Sequence, residues 1–243
     1  MINNGFLLGL PVEFKRLCLV YPPKVKDIAG NPTYNVYIKL LTSSQEEIED
    51  EYIENNLDLT NLLTPFEYLL NLAYNNEKVK EMIENAFLFF IHEPITFLYE
   101  NKSILIGDMK EVKSVKELRL LKQEDFFEFQ NLIRESIGQK AIELPDPNED
   151  PRIKKMKAKA RYRDKIKAKT GKNLNLESII TSICCMNIGI SLLNIGELSY
   201  AAVPAIMSRY QAKEKYDLDI QSLLAGADSK KVKPKYWIRN LDD

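Results

Sequence analysis

Apolar residues recur at helical spacing through the middle of the chain, and local signals mark where the helices begin. Thr64, Pro65 and Glu67 combine a hydroxyl N-cap, a proline in the first turn and a glutamate three residues after the cap, which together form a capping box. The same periodicity predicts further helices over 77–91 and 124–137. The middle of the chain is therefore predicted to be helical.

Shorter runs of β-branched and aromatic residues predict a small amount of sheet. Residues 95–99 and 103–106 are two such runs joined by a short polar turn, and they predict a β-hairpin. Prolines interrupt every candidate helix in the first forty residues, where 17–21 and 34–40 have the composition of strands. A partly helical 27–41 is the alternative for the second of these runs.

The C-terminal part of the chain predicts a second group of helices. One helix is expected over 176–188. Asn194 can cap another helix that passes through Tyr200, is kinked or restarted near Pro204 and runs towards Gly226. We favour an αα-hairpin over a DNA-binding helix-turn-helix here, because residues 196–202, which would form the second helix, include no Arg, Lys or Gln to contact a base edge.

These elements predict a mainly α fold with a small β element, an α+β arrangement. Residues 144–151 contain three prolines and no apolar periodicity, and they are the strongest candidate for a domain boundary. The expected division is an acidic, helical α+β domain with a β-hairpin over 1–144, a Pro-rich linker and basic helix over 145–172, and a small helical C-terminal module over 173–243.

The net charge of −1 hides a strong segmentation along the chain. Residues 1–151 contain 15 basic and 26 acidic side chains, a net charge of −11. Residues 152–172 contain 11 basic side chains and one acidic side chain, a net charge of +10, and residues 173–243 are neutral overall. A local charge of this size predicts an oppositely charged partner surface rather than a particular fold.

The basic segment 152–172 favours a helix, but its apolar residues form only a broken stripe, so it cannot bury a full face. Its side chains could neutralise phosphates of a nucleic acid. We rank this below contact with an acidic protein or simple solvation, because no aromatic array beyond Tyr162 accompanies the charges. The candidate electrostatic residues are Arg152, Lys154, Lys155, Lys157, Lys159, Arg161, Arg163, Lys165, Lys167 and Lys169.

Residue types typical of catalysis and metal binding are sparse. His92 is the only histidine, the three cysteines are Cys18, Cys184 and Cys185, and the sequence has no CxxC pair and no phosphate-binding glycine loop. We therefore expect a protein that is not an enzyme and that carries no metal or other cofactor. The sequence has no apolar run near the roughly 20 residues that span a bilayer, and we expect no signal peptide and no membrane partner.

The C-terminal sequence resembles tail assembly chaperones of tailed bacteriophages. The resemblance rests on residues 193–200 (Leu-Asn-Ile-Gly-Glu-Leu-Ser-Tyr), on residues 210–228 and on the late pair Tyr236 and Trp237, as well as on the order of a Pro-rich start, a helical middle and a charged linker. It implies a protein of the host cytoplasm that keeps the helical tape-measure protein soluble while tail tube subunits polymerise around it. No catalytic residue is implied.

The resemblance implies a tape-measure or tail tube protein as the partner, with self-association as a further option. We expect apolar helix faces within 176–227 to contact it, with the basic helix supplying electrostatic steering. The apolar candidates are Ile195, Leu198, Tyr200, Ile206, Tyr210, Tyr216 and Trp237. The alternative functions are a structural component of the virion, in the baseplate or tail, and a nucleic-acid-binding protein that uses 152–172.

Overall fold

The computed structural model describes residues 3–55, 58–108, 118–142 and 175–238, together with 150, 152, 153, 156, 157, 159–161 and 163. The chain divides into two compact units. Residues Met1–Ala141 and Glu197–Asp243 form the first, called here the core unit, and Ile142–Gly196 form the second, called here the insert unit.

The described residues form α-helices and two small antiparallel sheets, which confirms the predicted mainly α fold with a small β element. In chain order the elements are α1 Asn4–Leu7, β1 Val12–Phe14, β2 Cys18–Val20, α2 Val25–Ala29, α3 Tyr34–Thr42, α4 Gln45–Glu54, a 3-10 turn Leu59–Asn61, α5 Pro65–Asn75, α6 Glu77–Ile91, β3 Ile95–Leu98, a 3-10 turn Tyr99–Asn101, β4 Ser103–Ile106, β5 Leu120–Leu121, α7 Gln123–Ser136, α8 Leu176–Cys185, a 3-10 turn Ile195–Glu197 and α9 Ala202–Leu224.

Two of the helices begin at reciprocal side-chain caps. The Thr64 hydroxyl accepts a hydrogen bond from the Glu67 amide at 3.3 Å, and the Glu67 carboxylate accepts one from the Thr64 amide at 3.3 Å, so the predicted capping box is confirmed. Ser44 and Glu47 form a second capping box at the start of α4. Because an N-cap contributes about 1 kcal/mol to helix stability, these pairs fix where the two helices begin.

Aromatic side chains of α5, α6 and α7 form the centre of the core unit. Phe87 and Phe129 stack with ring centroids 5.4 Å apart, and Phe14 of β1 meets Phe129 edge-on at 5.5 Å. Phe66 and Phe126 pack with their ring centroids 5.1 Å apart. All five rings are buried, and removal of this apolar surface from water is the main stabilising contribution to the fold.

The predicted hairpin and the two predicted core helices are confirmed. β3 and β4 pair antiparallel with Ile95 opposite Ile106, and β5 pairs with the other edge of β4. Every residue of β4 is buried. The helices predicted over 77–91 and 124–137 are α6 and α7, the second of which begins one residue earlier.

The strand predicted over 34–40 is wrong, because these residues form the helix α3. Tyr34 and Leu41 are both buried, and a separation of seven residues places them on one face of a helix but on opposite faces of a strand. The alternative of a partly helical 27–41 is the correct one. The run 17–21 does contain a strand, β2, which pairs antiparallel with β1.

The helix predicted to begin at Asn194 is also wrong. Ile195–Glu197 form a single 3-10 turn, and the long helix α9 begins only at Ala202, with Pro204 in its first turn. Between them, Ser199 forms an isolated antiparallel bridge with Lys24. Backbone hydrogen bonds to a distant segment therefore replace the helical bonds that these residues would otherwise make.

The compact units differ from the predicted division of the chain at 144 and 172. Glu197–Asp243 belong to the core unit together with Met1–Ala141, because the residues that precede α9 are hydrogen-bonded to the N-terminal segment. The part of the chain that the structure describes contains no helix that is both long enough and apolar enough to span a membrane.

Candidate partner-binding surface of the C-terminal segment

The described residues 175–238 are called here the C-terminal segment. Within it, residues 197–204, called here the anchor, attach to the N-terminal part of the core unit. The Leu198 carbonyl accepts a hydrogen bond from the Val25 amide at 3.0 Å, and the Tyr200 amide donates to the Pro23 carbonyl at 2.8 Å. These two bonds flank the bridge between Lys24 and Ser199, so the anchor pairs as a short strand with residues 23–25. Pro23 has no amide donor, and its carbonyl is the group used here.

Side chains of the anchor extend this attachment into the core. The buried Ser199 hydroxyl donates a hydrogen bond to the Phe6 carbonyl at 2.6 Å. Tyr200 meets the ring of the buried Tyr34 edge-on, with centroids 6.2 Å apart. Ala201 and Val203 are buried as well, so the anchor contributes apolar burial in addition to hydrogen bonds.

The end of α7 meets the anchor at a glycine. Gly138 has a φ of +72°, in the left-handed region that glycine adopts without steric cost. A Cβ atom at this position would lie 2.8 Å from Cγ of Pro204 and 3.1 Å from the Ala201 carbonyl oxygen. Gly138 therefore ends α7 and also leaves space for the start of α9.

An exposed ion cluster completes the attachment. The Glu197 carboxylate lies 2.7 Å from Nζ of Lys24 and 2.5 Å from Nζ of Lys26. Hydrogen bonds from Lys24 and Lys26 lower the pKa of the Glu197 carboxyl to about 2, and the same contact raises the pKa of Lys24. Because all three groups are exposed to solvent, salt is expected to weaken the cluster.

We predict that the Glu197→Gln variant is less stable than the wild type by an amount that depends on pH. A carboxyl whose pKa is lowered by folding stabilises the folded state above its usual pKa of about 4.5 and loses this contribution as the pH falls to about 2. The denaturant midpoint of the variant should lie below that of the wild type at pH 7, and the difference should shrink between pH 5 and pH 2. The exposed Glu100 supplies the control variant Glu100→Gln. A difference that stays constant with pH would contradict the prediction.

Beyond the anchor, α9 is a long helix with little burial. It contains 23 residues, which corresponds to a length of about 34 Å. The whole helix lies in the described part of the chain, and its buried residues are Ala202 and Val203, both in the first turn. Leu218 and Leu224 are 59% and 83% exposed. Residues 205–238, called here the arm, thus continue from the anchored turn without entering the core.

The C-terminal tail lies along the helix of the arm. Nη1 of Arg209 donates a hydrogen bond to the Trp237 carbonyl at 2.5 Å. Tyr216 and Tyr236 meet edge-on with ring centroids 5.7 Å apart, and Tyr236 lies next to Trp237 with centroids 6.4 Å apart. Tyr216, Tyr236 and Trp237 are therefore gathered on one part of the surface of the arm.

The insert unit contains the other helix of the C-terminal segment, α8. Asn175 caps α8 through a hydrogen bond from the Ser178 amide to its side chain, and Ile183 is the buried residue of the helix. The following residues, 186–194, form an ordered loop in which Leu192 and Leu193 are 70% and 98% exposed. Large apolar side chains that are exposed in this way indicate a contact surface when they are grouped.

Every residue of the basic segment that the structure describes is helical. Arg152, Lys157, Lys159 and Arg163 are exposed, and Arg161 is partly exposed. The remaining candidate residues, Lys154, Lys155, Lys165, Lys167 and Lys169, lie outside the described residues. The described cations are thus at the surface, which is where a charged partner could contact them.

The predicted apolar residues fall into two groups. Ile195 is buried, and Leu198 and Tyr200 take part in the anchor, so these three serve the fold of this chain. Ile206, Tyr210, Tyr216 and Trp237 are partly exposed and belong to the arm. The sequence analysis missed Leu192, Leu193, Leu218 and Leu224, four leucines of the C-terminal segment that are more than half exposed.

Two of the residues first considered for chemistry, His92 and Cys18, pack against other residues of the core unit. His92 ends α6 with a φ of +58°, and its ring stacks on Tyr21 with centroids 4.0 Å apart. Burial raises the pKa of the Cys18 thiol to about 12, which keeps it protonated at neutral pH. Within the described residues, no group of three or more histidine, cysteine, aspartate and glutamate side chains is arranged to hold a metal ion.

A family comparison identifies the same C-terminal segment. Residues 166–242 match the model of the YomV second domain, a phage-associated domain family. The match covers just under a third of the chain and includes α8, the exposed loop, the anchor and the arm. No curated protein and no solved structure matches the chain. The molecule is thus a mainly helical protein whose C-terminal third resembles a phage-associated domain.

Proposed function

We propose that this protein is a phage tail morphogenesis factor that binds the tape-measure protein and keeps it soluble during assembly of the tail tube. The proposal rests on the exposure of the arm. The arm continues from the anchored first turn of α9, and its side chains Leu218 and Leu224 are exposed. The arm also lies within the segment that matches a phage-associated domain.

The arm has the chemistry that a helical client requires. A helical client is bound through apolar side chains, and α9 carries the partly exposed Ile206 and Tyr210 one turn apart, together with the exposed Leu218 and Leu224 nearer its end. Because the arm is not needed to fill the core, it can exchange contacts with a client without unfolding the core unit. The proposed function is binding and needs no catalytic group.

The basic segment supports the same proposal through its charge. Its net charge of +10 speeds association with an acidic surface and makes that association sensitive to salt. We propose that it steers the client towards the C-terminal segment, whereas the apolar side chains hold the client. Binding of nucleic acid by this segment is an outcome that the experiment below can also detect.

Co-expression with the tape-measure protein of the same phage tests this function. The full chain should raise the soluble fraction of the client and co-purify with it. The variant Leu218→Asp with Leu224→Asp should reduce both to the level seen without the chain, because these exposed side chains can be charged without disturbing the core.

The matched control is Leu8→Asp, since Leu8 is 76% exposed but belongs to the N-terminal part of the core unit. This control should leave client solubility unchanged. The proposal fails if the full chain does not raise the soluble client, or if the arm variant and the control behave alike. Co-purification of nucleic acid in place of the client would favour the nucleic-acid alternative.

A further inference from the structure

The C-terminal tail, residues 225–238, folds back along α9 from a turn at Gly226. Gly226 has a φ of +93°, a left-handed conformation typical of a glycine that ends a helix. Its amide donates a hydrogen bond to the Leu223 carbonyl at 3.0 Å. At the other end of the tail, the Trp237 carbonyl accepts the hydrogen bond from Arg209, which lies early in α9. The tail therefore returns towards the start of the helix.

The side of α9 that the tail contacts is less exposed than the opposite side. Four residues spaced three or four positions apart, and hence on one side of the helix, are each partly exposed: Arg209, Lys213, Tyr216 and Ile220. Four residues on the opposite side are exposed: Gln211, Lys215, Leu218 and Ser222. Because Arg209 and Tyr216 both contact the tail, the less exposed side is the one that the tail covers.

Side chains at the surface hold the tail in this position. The described tail residues, 225–238, form turns and irregular backbone, with neither a helix nor a strand. The edge-on contact between Tyr216 and Tyr236 lies at the surface, since Tyr236 is 55% exposed. A segment attached through exposed contacts opens more readily than an element of the core. The tail can therefore leave α9 without disturbing the rest of the core unit.

The covered side of α9 continues to an exposed leucine. Leu224 follows Ile220 by four positions, so it lies on the same side of the helix one turn further on, and it is 83% exposed. Tyr216, Ile220 and Leu224 thus form an apolar row, and the tail contacts this row at Tyr216. A client helix that contacts Leu224 can extend along the row only if the tail moves away.

We propose that the tail occupies, in the free chain, the side of α9 to which the client binds, and that the apolar face of a client helix displaces it by packing on Tyr216, Ile220 and Leu224. The proposal rests on the proposed function, because it names the surface of the arm that the client uses. A surface that is covered part of the time binds its partner with an apparent affinity reduced by the fraction in which it is free. The tail therefore weakens client binding, and contacts that hold the tail oppose those that hold the client.

The attachment of the tail can be measured without a client. Trp237 is the only tryptophan of the chain, so its fluorescence reports on the tail alone. Acrylamide should quench it less in the wild type than in Tyr236→Ser, where the tail has lost its contact with Tyr216. The matched control is Tyr74→Ser, which removes the exposed ring of a similar edge-on pair with Tyr99, with centroids 5.2 Å apart, and should be quenched as the wild type is. Equal quenching in the wild type and Tyr236→Ser would overturn the proposal.

Substitutions on the two sides of this contact should have opposite effects on the client. In co-expression with the tape-measure protein, Tyr236→Ser uncovers α9, so the amount of chain needed to keep the client soluble should fall roughly threefold, the effect of losing one aromatic pair. Tyr216→Asp also releases the tail but places a charge on the proposed client surface, so more chain should be needed. Ile220→Asp should act in the same way while leaving the aromatic pair intact. Tyr74→Ser should match the wild type, and circular dichroism should show the same helix content in all variants.

The outcomes separate this inference from the proposed function. If Tyr236→Ser weakens solubilisation as Tyr216→Asp does, the tail is itself part of the client site and the inference is overturned. It is also overturned if Tyr236→Ser needs as much chain as the wild type, or if Tyr216→Asp and Ile220→Asp solubilise the client as the wild type does. In each of these cases the wild type still solubilises the client, so the proposed function stands. If the wild type and Tyr236→Ser both fail to raise the soluble client, the proposed function itself fails.

Discussion

Replacing Gly138 with alanine is expected to release the anchor from the end of α7. The left-handed backbone at Gly138 costs a residue with a side chain about 1–2 kcal/mol, and the new methyl group would lie 2.8 Å from Cγ of Pro204. Relief of that overlap requires Pro204 to move, and with it the first turn of α9. The free energy of unfolding should therefore fall by more than the backbone strain alone.

Gly226→Ala provides the matched control for this prediction. Gly226 has a φ of +93° and nothing within 4 Å of the position of an added Cβ atom, so its substitution adds backbone strain without a steric overlap. Denaturant unfolding should show the larger loss for Gly138→Ala, and limited proteolysis should cut that variant near residues 197–204. Equal losses of stability in the two variants would contradict the account of the anchor.

A double-mutant cycle provides a second test of whether Gly138→Ala releases the anchor. If Gly138→Ala releases the anchor, the ion cluster of Glu197 with Lys24 and Lys26 is lost with it. Glu197→Gln should then have less effect in the Gly138→Ala background than in the wild type. Fully additive effects would mean that the anchor remains attached.

The Phe129→Ala variant is expected to lose about 3–5 kcal/mol of stability, the usual cost of removing a buried phenylalanine ring. Phe129 is fully buried and packs against Phe14 and Phe87, so its removal opens a cavity between β1, α6 and α7. Since domains of this kind are stable by roughly 5–15 kcal/mol, this loss is a large fraction of the total. Denaturant unfolding monitored by circular dichroism measures it.

Phe127→Ala is the control on the same helix. Phe127 is only partly buried, so the same chemical change removes less packing and should cost less stability. If Phe129→Ala lost no more free energy of unfolding than Phe127→Ala, the result would contradict the position of Phe129 in the centre of the core.

Most helices of the core unit could be predicted because their signals are local. The capping pair Thr64 and Glu67, the apolar face of 77–91 and the break at Gly138 each depend on residues within a few positions of one another. Local hydrogen bonds and periodic burial determine such elements, and both can be recognised from capping residues and apolar spacing in the sequence.

The helix α3 was mistaken for a strand because its composition is misleading. Residues 34–40 contain tyrosine, valine and isoleucine, which favour strands when composition is the only guide. The burial of Tyr34 and Leu41 against the rest of the core unit decides the outcome, and that burial depends on residues elsewhere in the chain.

The anchor could not be predicted, because its partners are about 170 residues away in sequence. Leu198 and Tyr200 bond to Val25 and Pro23, and no periodicity within residues 194–204 indicates that pairing. The charge pair of Glu197 with Lys24 and Lys26 is equally non-local. The division of the C-terminal segment into anchor and arm therefore required the structure.

The central claim is that the C-terminal segment binds a client while its anchor stays attached to the core unit. Hydrogen exchange of the chain alone and in complex with the tape-measure protein tests it most directly. We predict that the complex gains protection in the arm, over 205–224, and in the loop 186–194, whereas the Val25 and Tyr200 amides exchange slowly in both states. Protection gained only among β3, β4 and α7, with none in the arm, would contradict the claim.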